Sequence, residues 1–217
     1  MKMLRNFTIR FVMLTILGIF CVMWAGVGLY STWSLSRVSD GNDVDRQLVR
    51  QMTVLSQGND QYFRFVTRLS RAMEVKAAGG TPDLAPAQQA LDNMSKKLAE
   101  MKAISPGPMD EKVSAQVIST WQALLDRGVT PQMAQAKQAT LEGYRQHANN
   151  VTPPLSRAFG SAAENFNNTA AKALDSTRVV VDGLTSMTRT VIITATIVGL
   201  LILLFTDRYL VAILVRS

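Results

Sequence analysis

The chain has 217 residues, of which 47% are hydrophobic, and a formal net charge of +7 with one Cys and one His. A single Cys excludes an intrachain disulfide, and so few thiol and imidazole groups exclude a Cys- or His-rich metal site. The excess positive charge is concentrated beside two apolar runs: Lys2, Arg5, Arg10, Arg208 and Arg216. The charge therefore indicates membrane flanks, and no nucleic-acid partner or cofactor is expected.

The first apolar run contains no acidic or basic side chain between Phe11 and Ser36. A cleaved signal peptide is the alternative, but its apolar region is usually about 7–15 residues, whereas a bilayer requires roughly 20. Aromatic residues typical of a membrane interface occupy the outer end of the run: Trp24, Tyr30 and Trp33. We predict a cytoplasmic N-terminus over residues 1–10 and a first transmembrane helix over 11–33.

The segment 34–189 is polar and is predicted to lie outside the cytoplasm, because basic residues beside a span mark the cytoplasmic side. Three groups of Gly and Pro residues divide it into four helical lengths: Gly79–Pro82, Ser105–Pro108 and Val151–Pro154. Gly128 and Pro131 are expected to interrupt the third length. No alternating β-branched pattern predicts strands.

The fourth length has apolar residues at alternating spacings of four and three, which predicts a helix packed along one seam. The seam comprises Phe159, Ala163, Phe166, Ala170, Ala173, Thr177, Val180, Leu184, Met187 and Val191. The first length repeats the spacing in Leu48, Met52, Leu55, Asn59, Tyr62, Val66, Leu69 and Met73. We predict an all-α, up-down-up-down four-helix bundle continuous with two transmembrane helices, the second over 190–209, followed by a cytoplasmic segment over 210–217.

Three arginines on the first helix, Arg64, Arg68 and Arg71, share one face at helical spacing, with no acid between residues 61 and 73. They point away from the predicted seam when 100° is allowed per residue. A solvated basic stripe is one interpretation, with Asp60 and Glu74 as nearby partners. The other is an anion site, because guanidinium groups bind carboxylates through paired hydrogen bonds. An outward stripe then needs a second chain to close the pocket.

The start of the fourth helix offers a second group of candidate ligand-binding residues: Asn149, Asn150, Thr152 and Ser156. Two prolines there fit the first turn of a helix, whose leading N–H groups are free. Taken singly, these side chains also suit a turn and a helix cap. Together with the three arginines, they predict a pocket for a small organic anion.

This layout resembles the sensory half of a bacterial methyl-accepting chemotaxis receptor of the aspartate and serine receptor type. The resemblance is carried by the sequences Thr67–Arg71, Leu125–Gly128 and Val151–Phe159, and by the order of the segments. It implies a homodimer in the inner membrane whose arginines from both copies bind ligand carboxylates, with Arg68 and Arg71 the better matches. It also implies a HAMP-like start over 210–217 and downstream cytoplasmic signalling proteins.

The fourth helix departs from the amino-acid receptors of that family. Pro154, Leu155 and Ser156 stand where those receptors carry Pro-Thr-Gln, so the apolar Leu155 replaces a Thr hydroxyl that holds the ligand's ammonium group. We therefore expect a dicarboxylate, a citrate-like acid or an aromatic acid. The mechanism implied is a displacement of the fourth helix, with its transmembrane continuation, by the bound acid.

Two alternatives to the chemoreceptor remain open at this point. The same sensor could belong to a histidine kinase or a cyclase, or the bundle could be a structural membrane adaptor that binds an acidic protein surface. An enzyme is not expected, because no Ser/His/Asp set, paired-carboxylate cleft or phosphate-binding loop is evident and His147 stands alone.

Overall fold

The computed structural model describes residues 2–138 and 140–215, with side chains over 11–138, 140–209 and at 211. Met1, Arg216 and Ser217, which belong to the two predicted cytoplasmic ends, lie outside the described residues. The helices are α1 (Lys2–Ala77), α2 (Ala85–Ile104), α3 (Glu111–Ala123), a π-helical turn (Leu124–Val129), α4 (Thr130–Gln138), α5 (Leu141–Asn150) and α6 (Thr152–Val215). No strand occurs in the described part of the chain, so the all-α prediction is confirmed.

The bundle is the compact unit from Asp43 to Ser176. Its four long members are α1, α2, the third helix formed by α3 with α4, and α6, while α5 is a short additional helix. The core is centred on Trp121 of α3 and Phe159 of α6, both at most 1% exposed, with ring centroids 5.3 Å apart. Gly58 of α1 faces the Trp121 ring so closely that a Cβ there would overlap it. The largest buried side chain is therefore packed directly against helix backbone.

The buried stripe of α1 is rotated slightly from the predicted seam. Leu48, Leu55, Leu69 and Met73 are buried as expected, but Tyr62 and Val66 are only half-buried. The deeply buried positions that the predicted spacing missed are Gln51, Val54, Gly58, Phe65 and Ala72. The buried side of α1 therefore lies closer to the face that carries the three arginines than the predicted seam does.

The predicted interruption of the third helix near Gly128 and Pro131 is a π-helical turn over Leu124–Val129, which separates α3 from α4 while the chain stays helical. This turn ends two residues before Pro131, so the N–H that proline lacks falls close to the change of hydrogen-bond register. The carbonyl of Gly128 accepts a hydrogen bond of 2.9 Å from His147 Nε2 on α5. His147, expected on the surface, is half-buried and ties α5 to this turn.

The turn between α2 and α3 is fastened to α1 by a buried glutamine. Gln51 is 1% exposed, and its Nε2 donates to the carbonyls of Ile104 at 2.8 Å and Pro106 at 2.9 Å. Gly107 adopts a positive φ of 54°, and Asp110 caps α3 by accepting from the N–H groups of two following residues. The Gln51 amide thereby satisfies carbonyls that the end of α2 leaves without a helical partner.

Replacing Gln51 with leucine is expected to lower the free energy of unfolding of the bundle by about 1–3 kcal/mol, because the Ile104 carbonyl loses its donor and the Pro106 carbonyl keeps only the Met109 N–H. Chemical denaturation of the segment 43–176 measures the change. Gln57→Leu, at an exposed position of the same helix, is the matched control and should alter stability by no more than about 0.5 kcal/mol. Equal effects of the two substitutions would show that Gln51 does not stabilise the contact between α1 and the turn joining α2 to α3.

The second compact unit contains α1 up to Asn42 and α6 from Thr177 onward. The hydroxyls of Ser34 and Thr188 form a 2.6 Å hydrogen bond between the two helices. A Cβ built on Gly199 would lie 3.3 Å from the ring of Phe20, so the backbone of α6 approaches α1 closely there. Small residues of this kind allow close packing between helices in lipid.

The predicted seam of α6 holds in the bundle and shifts in this second unit. Phe159, Phe166 and Ala170 are buried, whereas Val180 and Met187 are 60% and 58% exposed. Leu184 is half-buried as the seam predicts, but Val181 and Thr188 are the half-buried positions in place of Val180 and Met187, and Ala195 is buried. The expectation that Val180 and Met187 line a packed seam was therefore wrong for this chain alone.

By length and composition, two helices of the described part are suited to crossing a membrane, one within Phe11–Ala77 and one within Leu141–Tyr209. None of the most apolar window in the first is buried, and only 11% of that in the second. Core helices of a soluble domain are mostly buried. These two apolar windows are mostly exposed and so differ from core helices.

Candidate ligand-binding site

The three predicted arginines lie on one side of α1 but have different surroundings. Arg64 is exposed and its Nε donates to Asp60 Oδ2 at 2.6 Å. Arg68 is half-buried, and its Nη1 donates to the carbonyl of Pro86 in the first turn of α2 at 3.0 Å. Arg71 is exposed and forms no hydrogen bond or ion pair with the described residues. The stripe therefore leaves one guanidinium group, that of Arg71, without an intrachain partner.

The predicted residues at the start of α6 are also unlike one another. Thr152 is 3% exposed, and its hydroxyl donates to Gln132 Oε1 of α4 at 2.8 Å. The Ser156 hydroxyl donates to the carbonyl of Pro153 at 3.1 Å, while Asn149 and Asn150 are exposed at the end of α5. Within the described residues no hydrogen bond joins this group to the three arginines. One chain alone does not assemble the whole predicted pocket.

A cavity of about 350 Å³ lies between α1 and α5, in the bundle. Its walls combine apolar and polar groups: Ser70, Met73, Glu74, Ala77, Leu141, Tyr144, Arg145, Ala148 and Asn149. Asn149 is the member of the predicted set that reaches it, and Ser70 is the immediate neighbour of Arg71. Glu74 and Arg145 offer one carboxylate and one guanidinium group, with no ion pair between them in the described structure. This volume suits a small organic molecule.

Tyr144 connects this cavity to the core. Burial raises the pKa of its phenol above the ordinary value of 10.0, the negative charge of Glu74 raises that pKa further, and a hydrogen bond with Gln132 opposes the shift. Gln132 is also the acceptor for Thr152, so one buried amide contacts both α5 and the start of α6. The cavity wall and the first turn of α6 are therefore linked through a single side chain.

The raised pKa of Tyr144 predicts a loss of bundle stability in alkali. The neutral phenol is favoured in the folded state, so its contribution is complete below the unfolded pKa near 10 and is lost as the pH rises above it. Denaturation midpoints measured between pH 8 and 11 should therefore fall less steeply for Tyr144→Phe than for the unmodified protein. Tyr62→Phe, at a half-buried position of α1, is the matched control for the loss of a phenol hydroxyl, and an equal change of slope in both variants would contradict the role of Tyr144.

Arg145 and Tyr144 were not predicted as site residues. The signal for them lies in the spacing of Leu141, Tyr144 and Ala148, which gives α5 an apolar face toward α1 and places Arg145 beside that face. The break before α5 hid this pattern, because Thr140 caps the helix where no Gly or Pro marks the boundary.

The fold and cavity define an all-α ligand-binding bundle joined to helices suited to crossing a membrane. Residues 3–174 match the family described as Tar ligand binding domain homologue, TarH. The chain is also similar to the crystallised N-terminal ligand-binding domain of a protein described as a methyl-accepting chemotaxis protein from Salmonella enterica. The two are 65% identical with a TM-score of 0.61, over 61% of this chain and 98% of that one. No curated protein matches the chain.

Because the family match covers most of its length, the chain belongs to the Tar ligand-binding-domain family. It carries a chemoreceptor ligand-binding domain, and the predicted resemblance is confirmed. The family is one of sensor domains and is not a family of enzymes.

Proposed function

We propose that the chain is the sensory part of a transmembrane chemoreceptor that binds a small organic acid outside the cytoplasm. The observation that carries the ligand class is the exposed Arg71 guanidinium, which forms no hydrogen bond or ion pair with the described residues. Its neighbour in sequence, Ser70, lines the cavity. A carboxylate satisfies such a group through charge-assisted hydrogen bonds. Arg64 and Arg68 add positive charge on the same side of α1.

The proposed pocket is shared between two copies of the chain. No hydrogen bond joins Arg71 to the start of α6 within the described residues, so a second α1 is the natural source of the missing wall. The 58% exposed Phe63, next to Arg64 in sequence, gives α1 an apolar group for that contact. Asn149, Asn150 and Ser156 supply neutral hydrogen-bonding groups, and Thr152 holds the helix start in place through Gln132.

The proposed arrangement in the inner membrane is two-pass, with residues 34–189 in the periplasm. Spans over 11–33 and 190–209 leave the basic segments 1–10 and 210–217 in the cytoplasm, as the distribution of Lys and Arg favours. The unbroken helix α6 then links the ligand-binding bundle to the second span. A bound acid acts by favouring one position of α6 over another, which requires different affinities for the two states.

A kinase or cyclase output remains the alternative within the sensor class, and a structural adaptor is the alternative outside it. The cavity between α1 and α5 favours the sensor, because an adaptor that binds an acidic protein surface needs no concave pocket of this size. Signalling proteins that meet the cytoplasmic end are the partners expected of the sensor.

Calorimetric titration of the full chain in lipid nanodiscs with a panel of organic acids tests the proposal. Dicarboxylates, citrate and aromatic acids form the main panel, with the corresponding amides as uncharged controls. Binding of an acid without binding of its amide supports the carboxylate site. An absence of heat from every acid in the panel contradicts it.

A further inference from the structure

A groove of about 640 Å³ lies between α1 and α6 in the unit of paired apolar helices. Its walls are mainly apolar, with Leu35, Val38, Ile192 and Ile193 among them, and hydroxyl groups from serine and threonine are interspersed. Arg189 is the charged residue that lines it. This combination of a long apolar trough with one guanidinium group does not belong to the ligand-binding bundle.

The contacts between the two helices place Arg189 at the level of an aromatic cluster on α1. Thr188 is hydrogen-bonded to Ser34 at 2.6 Å, so the residues next to each in sequence, Arg189 and Trp33, lie at similar heights. Trp33 is 50% exposed, its ring is 6.0 Å from that of Tyr30, and the Arg37 guanidinium lies 5.8 Å from its centroid. An exposed Trp ring with a half-buried Tyr beside it is typical of the lipid headgroup region.

The positive charge of Arg189 is not compensated on its own helix. Its guanidinium forms no hydrogen bond or ion pair with the described residues, and Asp182 is seven residues away, about 10 Å along the axis. On the other side, Thr190 begins a stretch without any acidic or basic residue. A guanidinium group at such a boundary binds phosphate oxygens in a paired geometry.

We propose that this groove is a binding site for one anionic phospholipid. The phosphate contacts the Arg189 guanidinium, and an acyl chain follows Ile192 and Ile193 into the apolar region. The inference rests on the proposed two-pass membrane arrangement. A second copy of the chain is the less favoured occupant, because a symmetric contact over this face brings the two Arg189 side chains toward each other.

Quenching of Trp33 fluorescence by brominated lipids tests the proposal. The full chain with Trp24→Phe is placed in phosphatidylcholine nanodiscs that contain the same low fraction of brominated phosphatidylglycerol or brominated phosphatidylcholine. Trp121 lies in the bundle core and supplies a constant background. The phosphatidylglycerol should be enriched about fivefold at the groove, the effect expected of one arginine near a lipid phosphate, and should quench correspondingly more.

Arg189→Gln should remove this preference, whereas Arg208→Gln, which removes a charge at the other end of the same apolar run, should retain it. Equal quenching by both lipids, or an unchanged preference in Arg189→Gln, overturns the site. An absence of quenching by either lipid overturns the membrane arrangement itself and so separates that failure from the first. Efficient disulfide crosslinking of two copies through Leu35→Cys, in a Cys21→Ser background, would assign the groove to a second chain and also overturn the proposal.

Discussion

Replacing Trp121 with alanine is expected to lower the free energy of unfolding of the bundle by about 3–5 kcal/mol, enough to unfold much of a marginally stable domain. Trp121 is fully buried, and its ring packs on Phe159 of α6 and on the backbone of α1 at Gly58. Truncation removes contacts with two other helices at once and leaves a large cavity. Denaturant unfolding of residues 43–176 measures the loss, since the similar crystal structure is that of an N-terminal ligand-binding domain.

Gly58→Ala provides the coupled control for this contact. In the unmodified protein the added methyl overlaps the Trp121 ring, so a cost of about 1–3 kcal/mol is expected. In the Trp121→Ala background the methyl enters the vacated space, and the same substitution should cost little or stabilise the bundle. A double-mutant cycle measures the difference. Additive effects of the two substitutions would show that Gly58 and Trp121 do not share a contact.

Arg71→Ala is expected to weaken binding of the organic acid by about 10- to 100-fold, because a hydrogen bond to a charged group contributes about 1.5–3 kcal/mol. Stability should change by no more than about 0.5 kcal/mol, since Arg71 contacts no other described side chain through a hydrogen bond or ion pair. Arg68→Ala is a less direct probe, because it also removes the contact with Pro86 that joins α1 to α2. Calorimetry with the best acid of the panel measures both variants.

Lys96→Ala is the matched control for the loss of one positive charge, at an exposed position of α2. It should leave acid binding unchanged at physiological ionic strength, where charges separated by more than about 8 Å are largely screened. If Arg71→Ala and Lys96→Ala weaken binding equally, the acid responds to net charge and the arginine site is wrong. Unchanged binding in both Arg71→Ala and Arg68→Ala would reject the pocket altogether.

The sequence predicted the long helices because the signals for them, apolar spacing and terminal Gly or Pro residues, are local. The turns at Gly79 and Ser105 and the start of α6 at Thr152 lie where glycine and proline placed them. The sequence did not predict that the third helix stays helical through Gly128 and Pro131, because tertiary contacts stabilise that conformation. A carbonyl of its π-helical turn is hydrogen-bonded to His147, a partner 19 residues away that no local propensity reveals.

The sequence predicted the candidate site only in part, for a similar reason. Periodicity placed the arginines on one side of α1, but it could not distinguish Arg68, which is hydrogen-bonded to α2, from Arg71, which forms no hydrogen bond or ion pair with the described residues. The heptad spacing also left the rotation of α1 undetermined, since Phe65 and Val66 both fit an apolar stripe. Phe65 is fully buried because of the tertiary packing of the bundle, which the spacing alone does not reveal.

The hydrogen bond from Thr152 to Gln132 limits the proposed displacement of α6. Breaking a buried bond of this type costs about 1–3 kcal/mol, which is as large as the whole energetic coupling found between sites in many allosteric proteins. A ligand that moved the first turn of α6 away from α4 would therefore need most of the available coupling free energy to break this hydrogen bond. We expect the first turn of α6 to stay attached to α4. Tilting or sliding then begins on its C-terminal side, where the helix has fewer polar contacts with its neighbours.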